Sequence, residues 1–143
     1  MDSIDDTMRY MLDTNTVVYV LNARPRHQAV IERFKLENPR DMVVSSITLA
    51  ELRYGIEKSE RLDASRSALR RVLDVLNVVP FDERAADRYG AARARLEVDG
   101  KPIGPLDTLI AAHALCLDLI LVTNNAREFS RVHGLRVENW VPA

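Results

Sequence analysis

Four acidic residues, Asp13, Glu51, Asp107 and Glu128, lie far apart in the chain and could bind a metal cation together. Three of them lie where a short apolar run meets a segment that has helical spacing. In an open α/β sheet the carboxyl ends of the strands share one crevice, and ligands bind there. Acids from distant segments can therefore converge in that crevice.

A cluster of carboxylates needs a cation. Two carboxylates about 4 Å apart repel by roughly 4 kcal/mol at an effective dielectric of 20. Oxygen ligands alone favour Mg²⁺ or Mn²⁺ over Zn²⁺, and His27, His113 and His133 are too isolated in the sequence for a zinc site. An open carboxylate site holding Mg²⁺ suits phosphodiester hydrolysis, because the cation activates water and stabilises the attacking and leaving oxygens.

Two of the acids also have a purely structural explanation. Asp13 could be a turn or cap residue between a strand and a helix, although Thr14 or Asn15 could cap that helix instead. Glu51 could form a capping box with Thr48, in which each side chain bonds the backbone amide of the other residue. Both explanations remain open from the residues alone.

The other two acids differ in the strength of their signal. Asp107 lies in the first turn of an apolar helix, where the helix dipole stabilises a carboxylate by about 0.3–1 kcal/mol. It is also the only charge between Lys101 and Asp118, which favours a functional role. Glu128 follows a buried apolar run, but it could be an ordinary surface acid.

Composition predicts one compact domain. The chain has 143 residues, of which 47% are hydrophobic and 29% charged. We expect residues 8–143 to form the domain and residues 1–7 to be a disordered extension, because Met8 could be an alternative start. The acidic start of the chain does not resemble a targeting signal, no apolar run approaches the ~20 residues of a membrane span, and Cys116 has no disulfide partner. A cytoplasmic protein without membrane contact is expected.

Net charge gives no general preference for nucleic acid, because it is −1. Two stretches are nevertheless rich in arginine. They could be solvated helix faces paired with nearby acids, or a basic rim that grips phosphates around an acidic cleft. These residues are Arg61, Arg66, Arg70 and Arg71 in one stretch, and Arg84, Arg88, Arg93 and Arg95 in the other.

Helices alternate with short apolar strands along the chain, which predicts an α/β layered domain with a mainly parallel sheet. Strands are predicted at residues 9–12, 42–44, 77–81, 119–122 and 132–140. Helices are predicted at residues 16–22, 28–37, 48–58, 64–76, 83–98 (capped by Asp82) and 106–117. The order of the strands cannot be read from the pattern.

Several segments resemble known ribonucleases. Residues 10–15 (YMLDTN), 47–55 (ITLAELRYG) and 104–114 (GPLDTLIAAHA) are similar to motifs of the PIN-domain ribonucleases. Residues 121–129 (LVTNNAREF), with Gly134-Leu135 and Glu138-Asn139-Trp140, look like the VapC toxins of bacterial toxin–antitoxin pairs. The resemblance covers roughly residues 8–142.

The resemblance implies a PIN-like three-layer α/β domain with three or four acids around Mg²⁺ or Mn²⁺. Asp13, Glu51 and Asp107 match the principal acids of the family and are the expected metal ligands. Asn125 stands where many members carry an Asp, so either Asn125 or Glu128 is expected to complete the site. The resemblance also indicates that Thr123 supports the site, and that Thr14 and Asn15 orient Asp13.

The same resemblance implies a biological role. VapC proteins are endoribonucleases, and the pattern here is similar to that of members that cut tRNA in the anticodon region to arrest translation and growth. A homodimer is implied, together with a VapB-type antitoxin whose C-terminal tail blocks the acidic groove. DNA would be bound only indirectly, through the antitoxin.

Two other functions remain open from the sequence. One is a haloacid-dehalogenase-like phosphatase, which would need a second Asp where Asn15 stands. The other is a PIN-like domain with a degenerate site that only binds RNA or a partner. The absence of an Asp at position 125 is the one feature that supports it.

Overall fold

The centre of the structure is a five-stranded parallel sheet. A computed structural model describes residues 8–142, so the extension predicted for residues 1–7 lies outside the described residues. The strand order is β3-β2-β1-β4-β5, with β1 in the middle. The strands are β1 (Tyr10–Leu12), β2 (Met42–Ser45), β3 (Asn77–Val79), β4 (Ile120–Val122) and β5 (Val137–Glu138).

Seven α-helices within residues 8–142 connect and cover the strands. They are α1 (Thr14–Asn22), α2 (Gln28–Leu36), α3 (Ser46–Glu57), α4 (Leu62–Leu73), α5 (Glu83–Val98), α6 (Pro105–Leu117) and α7 (Ala126–Phe129). Short 3₁₀ turns at Pro25–His27 and Pro39–Asp41 precede α2 and β2. In the part of the chain that the structure describes, no helix is long and apolar enough to cross a membrane.

The core lies on both faces of the sheet, which makes three layers. Tyr10 and Leu12 of β1 point into one cluster, which contains buried side chains of α1 to α4. Met11, between them, points into the other cluster, with side chains of α5, α6 and α7. Strands buried on both faces are continuous apolar runs, which is why residues 10–12 and 42–44 are uniformly hydrophobic.

The predicted fold class is confirmed, since the structure is a three-layer α/β domain with a parallel sheet. Several details differ from the sequence prediction: helix α1 begins at Thr14 rather than at residue 16, and helix α4 is Leu62–Leu73 rather than residues 64–76. Helix α3 begins at Ser46 rather than at Thr48, the last strand is limited to Val137–Glu138, and α7 was not predicted. The last of these differences matters, because α7 carries Glu128.

Candidate metal centre

Asp13 lies at the carboxyl end of the central strand and begins α1. Its backbone N–H donates to the carbonyl of Val122 at 3.0 Å, and its Oδ1 accepts from the amide of Thr16 at 2.8 Å. The cap explanation for Asp13 is therefore confirmed, and Thr14 and Asn15 do not cap this helix. Only Oδ1 is used in the cap bond, so capping and ligand binding are compatible.

Burial of Asp13 disfavours the charged form of its carboxyl. The residue is 4% exposed, and desolvation raises the pKa of its carboxyl above the usual value. Hydrogen bonds from the Thr123 hydroxyl and from Thr16 oppose this rise, and the charge of Glu51 adds to it. Thr123 is thus a direct neighbour of Asp13.

Glu51 lies inside α3 and faces α1, so the capping-box explanation is wrong. The cap of α3 is Ser45, whose Oγ accepts from the amide of Ile47 at 3.0 Å. Glu51 Oε1 instead accepts from the hydroxyl of Thr14 at 2.6 Å. Thr14, which was predicted to orient Asp13, therefore hydrogen-bonds Glu51. Asn15 is exposed and makes no side-chain hydrogen bond within the described chain, so its predicted role stays a prediction.

Asp107 shows that the acids converge. It lies in the first turn of α6, whose first residue is Pro105. Burial raises the pKa of Asp107 to about 6, with further contributions from the charges of Glu128, Asp13 and Glu51, in that order. The charges of three acids from other segments therefore reach Asp107 at the carboxyl edge of the sheet.

Glu128 links two loops of the site. Its Oε1 accepts from the backbone amide of Gly104 at 3.4 Å, and its Oε2 accepts from the side-chain amide of Asn125. The backbone amide of Asn125 donates to the Thr123 hydroxyl at 2.9 Å. Asn125 thus holds Glu128, and Glu128 is the acid whose charge acts most strongly on Asp107.

The donor set fits a hard divalent cation. Carboxylate oxygens are what Mg²⁺ and Mn²⁺ prefer. Burial raises the pKa of Asp13 and of Asp107, and the charges of neighbouring acids add to both rises, so a cation would stabilise the charged forms. Within residues 8–142, no three acidic, His or Cys side chains lie close enough together to share one ion as placed. Glu51 and Glu128 are turned towards protein donors, and rotation about their own side-chain bonds would be needed to bring their carboxylates together.

Three supporting residues were not singled out by the sequence. Thr16 follows Asp13 by three residues, which is the usual spacing between a helix-capping side chain and the backbone amide that donates to it. This contact could have been predicted from the sequence. Ser45 and His113 form a buried bond of 2.8 Å that joins the start of α3 to the middle of α6. No local pattern predicts that contact, because the two residues are 68 positions apart.

Half of the arginines in the two arginine-rich stretches are paired with acids within the described residues. Four of the eight arginines form ion pairs with a nearby Glu or Asp, and all four are exposed: Arg66, Arg70, Arg93 and Arg95. For these four the solvated-face explanation holds. The remaining four form no ion pair within residues 8–142 and do not decide between the two explanations.

A groove leads away from the acids between α1, α3 and α4. Its volume is about 530 Å³, and Thr14 and Glu51 line it together with apolar side chains such as Leu21, Leu52 and Ile56. The groove therefore joins an apolar wall to one of the four acids.

The chain matches known proteins over almost its whole length. A family model described as PIN domain matches residues 10–135. The tRNA(fMet)-specific endonuclease VapC of Salmonella typhimurium is 43% identical over 133 residues, covering 93% of this chain and 98% of that protein. Ribonuclease VapC2 of Haemophilus influenzae is 46% identical over 134 residues, covering 94% and 99%.

Solved structures of VapBC complexes also match this chain over almost its whole length. VapBC2 from Rickettsia felis, bound to a DNA fragment from the promoter, superposes with a TM-score of 0.86 at 40% identity, covering 93% of this chain and 99% of that one. DNA-bound VapBC from Salmonella typhimurium superposes with a TM-score of 0.87 at 42% identity, covering 93% and 98%.

Proposed function

This chain belongs to the PIN-domain family and is a ribonuclease of the VapC type, and from that membership we propose that it is the toxin of a type II toxin–antitoxin pair. Its activity is Mg²⁺-dependent endoribonucleolytic cleavage that arrests translation and growth. One observation carries the proposal: the charges of three other acids, from three other segments, help to raise the pKa of Asp107. That crowding is what a cation-binding nuclease site requires.

Each site residue has a specific role in this proposal. Asp13, Glu51 and Asp107 hold the cation, and Glu128 completes the set of acids. Bound Mg²⁺, or Mn²⁺ as a substitute, supplies activation of water and neutralisation of charge on the phosphate. The chain's own contribution is positioning: the cap bond from Thr16 holds Asp13, and the hydroxyl of Thr14 holds Glu51.

Asn125 is a positioning residue in this proposal, because its side-chain amide donates to Glu128. The alternative of a degenerate site that only binds RNA or a partner rested on the missing Asp at position 125. Glu128 supplies a carboxylate at the same loop, and its charge acts on Asp107. The phosphatase alternative has no support left, because the whole-length matches are to VapC ribonucleases.

The proposed substrate is tRNA, cut in the anticodon region. Support comes from the relative named as specific for tRNA(fMet), which is 43% identical over 93% of this chain. The motifs of residues 104–114 and 121–129 support the same target.

The proposed partner is a VapB-type antitoxin, since the similar structures are VapBC complexes, two of them with DNA. The groove between α1, α3 and α4 supports a protein segment that reaches the acids, because its apolar walls end at Glu51. We further propose a cytoplasmic homodimer, with residues 8–143 as its single domain, that contacts DNA only through the antitoxin. Light scattering of the purified toxin and of its complex would measure both assemblies.

The function is tested by incubating the purified chain with total tRNA in Mg²⁺, in Mn²⁺ and in EDTA, and by sequencing the new 5′ ends. Asp13→Asn and Asp107→Asn should each lower cleavage by at least the roughly 10–100-fold that even outer-shell changes cost a metal site. They should also relieve growth arrest on expression. The matched control is Asp118→Asn, an exposed acid at the end of α6.

Two outcomes would contradict the proposal in different ways. Cleavage that survives both Asp→Asn changes would show that the site is assigned to the wrong residues. Absence of RNA cleavage with every divalent cation would favour the binding module.

A further inference from the structure

A row of polar and aromatic side chains extends from the acids along the outer end of α1. We call it the amide–aromatic strip. Its members are Asn124, Tyr19, His27, Arg24 and Arg26. It begins at the site itself, since Asn124 lies between Thr123, which hydrogen-bonds Asp13, and Asn125, which hydrogen-bonds Glu128. A chain molecule that crosses Asn124 therefore passes next to the acids.

Asn124 is an amide held in a defined orientation. Its Nδ2 donates to the Tyr19 hydroxyl at 3.2 Å, and its Oδ1 accepts from the side-chain amide of Asn139 at 3.2 Å. A side-chain amide has two donor hydrogens and two acceptor lone pairs. One donor and one acceptor of this exposed amide therefore remain for a ligand, and that is the pair with which Asn recognises the edge of a base.

Aromatic rings lie beside this amide. The Tyr19 ring stacks on the His27 ring with 3.9 Å between centroids and 22° between planes. The pair is partly exposed, and the stacking keeps Tyr19 in place beneath Asn124. Aromatic faces and edges next to a hydrogen-bonding amide are the usual means by which proteins hold an unpaired base.

Positive charge lies at the far end of the strip. Arg24 and Arg26 are exposed, and neither forms an ion pair within the described chain. Desolvation of the ring lowers the pKa of His27, and the charges of Arg26 and Arg24, which lie near the ring, lower it further. Two arginines that lack an acidic partner can contact phosphates without first breaking an ion pair.

The composition of the strip favours RNA over a protein segment. The fully buried core of a protein interface is usually its most apolar part. The large hydrophobic side chains exposed in residues 8–142 all lie outside the strip: Leu36, Tyr54, Val75, Val78, Val98 and Leu106. Amide, ring and guanidinium groups are what the strip offers instead.

We propose that the amide–aromatic strip binds single-stranded RNA on one side of the cut, with Asn124 on a base near the cleaved bond and with Arg24 and Arg26 on the adjoining phosphates. This inference rests on the proposed nuclease function. It adds the path that the bound RNA follows from the acids across the protein surface, and it names the residues that select the RNA sequence.

The test measures RNA binding separately from cleavage. The full chain carrying Asp107→Asn is titrated with a fluorescent single-stranded anticodon-loop RNA at several salt concentrations. Adding Arg24→Gln and Arg26→Gln should lower the slope of log affinity against log salt by about 1.4, because each lost phosphate contact to a single strand contributes about 0.7. The matched control is Arg93→Gln with Arg95→Gln, two exposed arginines of α5 that are already paired with acids, and it should leave the slope unchanged.

Asn124→Ala, in the active chain, gives the second measurement. It should change which nucleotide is preferred next to the cut, while the salt slope stays that of the parent. A preference unchanged by Asn124→Ala, or a slope that responds equally to both arginine pairs, would overturn the inference. So would an Asp107→Asn chain that binds no RNA.

The two proposals fail separately in this design. If the unmutated chain cleaves no RNA while Arg24 and Arg26 still determine the salt slope, the proposed nuclease function is wrong and the proposed RNA binding by the strip is kept. If the strip variants leave RNA binding unchanged while Arg24→Gln with Arg26→Gln weakens binding of the antitoxin, the strip contacts a protein and the inference is wrong.

Discussion

Asp13 uses one carboxylate oxygen to cap α1, and this bond orients the side chain before any ligand binds. From the sequence, capping and metal binding are competing explanations for this residue. In the structure they support each other, because the cap bond holds a buried carboxylate beside Glu51. Asn also caps helices well, so Asp13→Asn removes the charge while keeping the cap bond.

Glu51 can now be tested without ambiguity, because it does not cap α3. We expect Glu51→Gln to leave the melting temperature in EDTA within about 2 °C of the parent, since a change away from caps and core costs at most ~0.5 kcal/mol. It should, however, reduce the rise in melting temperature that Mg²⁺ produces, because one ligand charge is lost. The control on the same helix is Glu57→Gln, which is exposed. A large loss of stability in EDTA would restore a structural role for Glu51.

The raised pKa of Asp107 predicts an unusual pH dependence for the metal-free protein. Its carboxyl has a pKa of about 6 in the folded state against 3.8 in the unfolded state, so the folded state binds more protons between these values. The free energy of unfolding therefore falls as pH rises through this window. Asp107→Asn should remove that loss and stabilise the metal-free protein at pH 7 by on the order of 1 kcal/mol, reduced by solvent screening of a partly exposed group.

Urea denaturation in EDTA at pH 4.5 and pH 7 measures this effect as the difference between the parent and Asp107→Asn. The pKa of His113 is lowered in the folded state, so its contribution to the free energy of unfolding has the opposite pH dependence. At a pH below the ordinary pKa of histidine, the unfolded state binds the proton more readily and is favoured. It is common to both proteins and cancels in the difference. A gap between the two proteins that is the same at both pH values would contradict the prediction.

The helices and strands themselves were largely predictable from local signals. Asp82 was predicted to cap α5, and its Oδ1 accepts from Ala85 at 3.0 Å. The start of α3 was placed two residues late, because Ser45, Ser46 and Thr48 are all hydroxyl residues that cap helices. Only the buried contact with His113 distinguishes Ser45 from the others.

The spatial arrangement of the elements was harder to predict from the sequence. The four acids were identified from residue type and motif, and the charges of the other three reach Asp107 in the structure. Their individual partners were not predictable. The bond between Thr14 and Glu51 joins residues 37 positions apart, and the register of β1 against β4 depends on packing of both faces. Local patterns contain no information about such distances.

Ser45 predicts how strongly α3 depends on α6. Its side chain is fully buried, caps α3 and bonds Nδ1 of His113 at 2.8 Å. We expect Ser45→Ala to lower the free energy of unfolding by about 2–3 kcal/mol, because it removes a cap and leaves a buried ring nitrogen unpaired. Ser67→Ala, on the exposed face of α4, is the control and should change little. A cost for Ser45→Ala as small as that of the control would show that water replaces the bond.

At the scale of the whole molecule, Trp140 joins the last strand to the first strand and to α2. Its ring meets Tyr10 edge-on at 5.4 Å, the Arg33 guanidinium lies 4.7 Å from its centre, and its Nε1 donates to Glu138 at 2.8 Å. We expect Trp140→Ala to cost about 3–5 kcal/mol in the free energy of unfolding. Trp140→Phe keeps a ring but loses the hydrogen bond, and should cost nearer 1 kcal/mol in the same denaturation experiment. Equal costs for the two changes would show that the hydrogen bond, and not the packing, holds this end of the sheet.

The central position of β1 has a consequence for the order of synthesis. This strand leaves the ribosome first, yet one of its two neighbours, β4, is encoded more than a hundred residues later. Until β4 and α7 have been translated, Asp13 lacks its backbone bond to Val122 and Glu128 does not exist. A nascent chain that ends before α7 therefore lacks one acid of the proposed site and the backbone bond that holds another. Completion of the site depends on segments that are translated more than a hundred residues after Asp13.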